Sequence, residues 1–169
     1  MQNVNKCRLY GNVIVWLLNV HACQGTADVP IRPPDRWETE EVDPAGRLRK
    51  FIHILLTNRV DILSYGCPVG TLTTELAKLR HSALAQADTL FVLFRTWLRD
   101  QFVLLGHEEQ ADALAMHLLA SSQGVATLAN AFQDEAFIRR EVQQMCDWVS
   151  TYALDVGHSA QRERGRARP

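Results

Sequence analysis

From Leu48 to Tyr152 the apolar residues of this chain recur at steps of three and four. That is the period of an α-helix with one buried face, and it confines the chain to helices packed on helices. Leu48, Phe51, Ile52, Leu55, Leu56, Ile62 and Leu63 predict a first helix over about 45–64. Pro44 suits its first turn, where the missing amide proton would have no helical partner anyway. The break GCPVG at 66–70 follows. Gly66 suits the position just past a helix end, and Pro68 the opening turn of the next helix, whose stripe is Leu72, Leu76 and Leu79. A third helix, about 82–105, is apolar round most of its circumference and is expected at the centre of the bundle, with Gly106 ending it.

A fourth helix, about 108–132, carries two faces. Ala111, Leu114, Leu118, Ser121, Val125, Leu128 and Phe132 form the expected core seam, polar only at Ser121. Beside it run Ala113, His117, Ala120, Gly124, Thr127 and Ala131, small enough at most steps to admit the close approach of another helix. Gly124 costs roughly 1 kcal/mol of helix propensity relative to alanine, and such a contact is a reason to keep it. A fifth helix, about 134–153, has Ile138, Val142, Met145, Val149 and Tyr152 on one stripe and Phe137 and Trp148 on the next, wider than one core contact needs. The expected fold is an all-α bundle of about five main helices.

The flanks are of different composition. Residues 1–45 hold Pro30, Pro33, Pro34 and Pro44 and carry a net charge of −2; residues 24–43 are expected to be an irregular arm, and the apolar segment 9–20 is compatible with strand or helix. Residues 154–169 end in HSAQRERGRARP, expected to be a disordered basic tail, with Arg162, Arg164, Arg166 and Arg168 against Glu163. The whole chain has a net charge of −1, which gives no general attraction to nucleic acid. Cys7, Cys23, Cys67 and Cys146 are scattered, without the close pairs that preform half a zinc site, and are expected as separate reduced thiols in the cytoplasm. Lys6 and Arg8 before Val13–Leu18, with Ala22-Cys23 after, loosely imitate an export signal, but the core is short and His21 suits no cleavage site. No run approaches the roughly eighteen apolar residues of a membrane-spanning helix.

RLRKFIHILLTNRVDILSYGCPVGTLTTEL, FVLFRTWLRDQFVLLG and ADALAMHLLASSQGVATLANAFQDEAFIRREV together resemble the C-terminal regulatory domain of the tetracycline-repressor-like (TetR) family of bacterial transcription regulators. The likeness spans residues 46–153 and includes the Gly-Cys-Pro turn and a Ser-Gln-Gly step. It implies an all-α domain that binds a small hydrophobic effector between its helices and pairs its last two helices with those of a second copy, without a cofactor. On that implication the homodimer interface would hold Ala113, His117, Ala120, Gly124, Thr127, Ala131, Phe137, Glu141 and Trp148, and Phe51, His53, Phe94, Trp97 and His117 are candidates to line the effector site. The family's helix-turn-helix is not recognisable in residues 1–45, which offer no recognition helix and no basic face for phosphates. The DNA-binding unit is therefore expected to be absent, truncated or replaced, and an altered reading frame or misplaced start would produce such an N-terminus. A chain of that kind would still be able to pair with an intact relative.

Other chemistry finds little support. His107-Glu108-Glu109 lacks the second histidine of a zinc helix and reads better as an acidic first turn at a helix N-terminus. Cys67 as a redox sensor competes with a small residue packed at a turn. There is no GxSxG, GxGxxG or P-loop, so no enzyme activity is expected. The alternative function is a helical carrier of small molecules or lipids that does not act on DNA.

Overall fold

The computed structural model describes residues 41–81 and 84–166. The expected N-terminal arm, the segment 9–20 and the export-like stretch lie outside the described residues. Six helices follow in order: α1 (Pro44–Thr57), α2 (Arg59–Tyr65), α3 (Pro68–Lys78), α4 (Leu84–Leu104), α5 (Ala111–Phe132) and α6 (Glu135–Arg166). Among the described residues there is no strand, and the protein is an all-α helical bundle.

Local chemistry sets the helix ends. Asp43 caps α1: its carboxylate accepts from the amides of Ala45 and Gly46 at 3.3 and 3.0 Å, while Pro44 opens the helix. The first expected helix is broken at Asn58, whose ψ of 16° leaves the helical region. Asparagine is one of the weaker helix formers, and its side chain makes no capping bond here; its backbone amide donates to Ile54 O at 2.9 Å. The break is one residue wide, because the Ile62 amide donates to Asn58 O at 2.9 Å and α2 resumes at once. Gly66 ends α2 at φ 73°, a conformation costly for any residue with a Cβ. Gly106, at φ 80°, ends α4 in a paired cap: the Gly106 amide donates to Val103 O at 2.8 Å and the His107 amide to Phe102 O at 3.1 Å.

The core joins α1, α4, α5 and α6. Leu48, Ile52, Leu98, Phe102, Leu118, Ile138 and Val149 are fully buried, and each such side chain contributes about 1.5–3 kcal/mol of transfer free energy. α4 packs along α5, and α1 lies against α6 and α4. Buried Gln101 is satisfied by Trp97 O at 3.4 Å and by Arg47, whose Nη1 donates to Gln101 Oε1 at 3.3 Å.

Besides the break at Asn58, three differences from the sequence expectations concern boundaries and faces. On α4 the buried residues are Trp97, Leu98, Gln101 and Phe102, while Val92 is 60% and Leu104 61% exposed, so this helix is not covered all round. On α5 the expected seam is buried at Ala111, Leu114, Leu118 and Val125 and turns outward after that: Ser122, Ala126 and Ala129 are buried beside it, while Leu128 and Phe132 are 43% and 68% exposed. The backbone of α6 stays helical through Arg166, past the end expected near residue 153 and into the expected disordered tail. No proline interrupts it before Pro169, and Leu154, Ala160, Gln161, Arg162 and Glu163 are good helix formers.

Candidate functional site

The break between α1 and α2 and the turn between α2 and α3 carry the chain around a cavity of about 90 Å³. That is room for several water-sized groups in one space. α1 supplies Phe51, Ile54 and Leu55, and Asn58 lies at its broken end. Ile62, Cys67, Pro68 and Val69 come from α2 and from the turn into α3. Phe91 and Phe94 project from α4, and Leu119, Ser122, Gln123 and Ala126 from α5. The Phe51 and Phe94 rings meet at 5.9 Å, tilted by 54°.

The turn that forms one side of the cavity is held in place by side-chain amides. Leu63 O, in the last turn of α2, accepts from Asn130 Nδ2 at 2.7 Å and from Gln133 Nε2 at 2.6 Å. A helix-end carbonyl has no partner within its own helix, so these two bonds answer an unmet acceptor and fasten α2 to the end of α5. Thr71 Oγ1 donates to Tyr65 O at 3.2 Å across the turn. At Gly70 a Cβ would lie 2.8 Å from Gln123 Oε1, so the α5 side chain rests directly on the first turn of α3.

The cavity wall is apolar with few polar groups. Ser122 is buried and its hydroxyl donates to Leu119 O at 2.7 Å, which leaves it only lone pairs to offer an occupant. The side-chain amides of Asn58 and Gln123 have no hydrogen-bond partner among the described residues. Cys67 adds a half-buried thiol. None of the lining residues is Asp, Glu, Lys, Arg or His.

Of the five expected lining residues, the structure brings Phe51 and Phe94 together at the cavity. Trp97 is buried in the core one turn along α4 and is not among the lining residues. His53 is exposed, with Nδ1 bonded to Arg49 O at 2.7 Å. His117 is exposed as well, its ring 4.9 Å from that of Trp148. Neither histidine reaches the cavity. Asn58, Ser122 and Gln123 were not among the expected lining residues, although Ser122 and Gln123 belong to the Ser-Gln-Gly step of the resemblance. In the sequence that step is a polar pair on α5 between apolar turns, with nothing to place it at a cavity.

Ala113, His117, Ala120, Gly124, Thr127 and Ala131 all lie on an exposed face of α5, and Phe137, Glu141 and Trp148 are half-buried on α6. A Cβ built at Gly124 meets nothing within 4 Å. Met116, 42% exposed, and the exposed Leu128 and Phe132 add larger apolar groups to α5's outer surface. His107 is tied down by its Nε2 bond to Tyr152 O at 2.9 Å and by edge contact with the Tyr152 ring.

No protein-family model matches this chain, and no curated protein matches it. Among the described residues no helix is long and apolar enough to cross a membrane.

Proposed function

We propose that this chain is a cytoplasmic, homodimeric, effector-binding domain of the tetracycline-repressor type, acting as the sensing part of a transcription regulator. The observation that carries the reading is the cavity between α1, α4 and α5, lined by aromatic and aliphatic side chains and closed on one side by the Gly66–Pro68 turn. Small-molecule sites are concave and mostly apolar, with a few polar groups that fix orientation, and this cavity has that make-up. An occupant would touch α1, α2, α3, α4 and α5 at once, so its binding would bias how these helices sit against one another.

Pairing through α5 and α6 is the second half of the proposal. The exposed small residues at 113, 120, 124 and 131 would let two copies approach backbone to backbone, and Met116, Leu128 and Phe132 would lose their solvent contact in the same event. A second copy is the occupant this face fits.

Two measurements test the proposal. Light scattering coupled to gel filtration is expected to give twice the chain mass. Mass spectrometry of the protein purified under native conditions is expected to find a small molecule released on denaturation. A monomer with an empty cavity that binds no small molecule in a thermal-shift screen would sink both halves. A gel-shift assay on the gene's own promoter then separates a regulator from the alternative of a carrier that does not act on DNA.

A further inference from the structure

We infer that the cavity selects an uncharged molecule, apolar over most of its surface and bearing a hydroxyl or carbonyl group that the carboxamides of Asn58 and Gln123 receive. The inference rests on the effector-binding reading above and narrows it to a ligand class. Selection by charge follows from the wall. Of its side chains only the Cys67 thiol can ionise, and none offers a counter-ion to a carboxylate or an ammonium. The nearest cations along the chain are already committed. Arg59, beside Asn58, holds Glu135 at 3.1 Å and Leu56 O at 3.0 Å. Arg95, beside Phe94, grips both oxygens of Asp112 at 2.8 and 2.6 Å. A charged ligand would leave water without a partner of opposite sign, which binding sites avoid.

The polar groups that remain are suited to a neutral one. A carboxamide donates and accepts, so Asn58 and Gln123 can each meet a carbonyl with N–H or a hydroxyl with C=O. Neither amide has a hydrogen-bond partner among the described residues, so neither must give one up when an occupant arrives. Ser122 has already given its proton to Leu119 O and can only accept. A hydrogen-bonding group on the ligand therefore finds partners of either sense, whereas a wholly apolar ligand would strip water from both amides without replacing it.

Calorimetric titration of the full chain with 1-octanol, octanoate and octylammonium at neutral pH tests this, since the three probes share one tail and differ in charge. Octanol is expected to bind once per chain, and the two ions at least about 100-fold more weakly because neither recovers its lost hydration. Gln123→Leu and Asn58→Leu are each expected to weaken octanol by about threefold to tenfold, the range of one net hydrogen bond. Gln123 lies mid-helix and its replacement leaves the chain break at Asn58 intact, so a folding defect in one variant does not remove the test. Ions that bind as tightly as octanol overturn the charge selection and leave the effector-binding reading standing. Octanol binding that ignores both substitutions overturns the role of the carboxamides. Failure of all three probes to bind overturns the cavity as a ligand site, and this inference with it.

Discussion

Four described residues have positive φ, and only two of them are glycine. Gly66 and Gly106 were legible in the sequence, because a glycine after an apolar periodic run marks a helix end. Arg80 at φ 49° and Gln133 at φ 54° do the same work at the ends of α3 and α5 without any mark in composition. A left-handed conformation costs a residue with a Cβ about 1–2 kcal/mol. Among the described residues Arg80 makes no specific bond that repays this beyond the backbone cap, in which its amide donates to Ala77 O at 3.1 Å. Arg80→Gly is therefore expected to raise stability by about 1 kcal/mol in urea denaturation. Gln133→Gly is expected to bring no gain, since it also loses the amide bonds to Leu63 O and Asn130 O. Gly124 is the opposite case, a glycine in mid-helix where the backbone needs none. Its Cβ position is open, so Gly124→Leu is expected to leave helicity unchanged by circular dichroism and to shift the protein to a monomer by light scattering. A Gly124→Leu protein that remains dimeric would remove α5 from the interface.

Among the elements, α4 and α5 are clasped at one end by the Arg95–Asp112 pair. The Arg95 guanidinium, hydrogen-bonded to both oxygens, holds the Asp112 carboxyl below its ordinary range. A carboxyl depressed in the folded state adds stability above its unfolded value, and that stability is lost as pH falls through the folded one. Asp112→Asn is thus expected to flatten part of the fall in urea midpoint between neutral and acid pH, with little change in the slope above neutrality. Glu135, lowered by Arg139 and Arg59, contributes to the same acid limb and remains in the variant. The existence of these helices was plain from periodicity, but the faces they bury were not. A run of three-and-four steps read as a straight seam sends Leu128 and Phe132 inward, whereas a real helix at 3.6 residues per turn rotates the stripe slowly. By the end of α5 the buried position is Ala129, and the larger side chains have turned outward.

For the whole molecule, the all-α class was legible because helical periodicity covers most of the chain. The cavity was not. Its wall is assembled from positions 51 to 126, and polar members such as Asn58 and Gln123 look in sequence like ordinary surface residues. Of its members only Phe51 and Phe94 were expected there, because pockets between helices are lined mainly by apolar and aromatic side chains; Phe91, equally aromatic, reads in sequence only as part of an apolar helix. The proposed dimer would also make stability a property of concentration, since association favours the folded chain by mass action. The melting temperature is expected to rise with protein concentration, and Gly124→Leu to abolish that dependence.

The two cysteines of the bundle sit at different depths. Cys146 is buried on α6, and desolvation pushes its thiol pKa upward. Cys67 is half-buried on the wall of the cavity. With Cys7 and Cys23 replaced by serine, the chain would carry two chemical clocks. One alkylates only when the core comes apart, and the other when the space beside it stands open. An occupant of the cavity would slow the second clock far more than the first, and their ratio would separate a local closing from a general tightening of the fold.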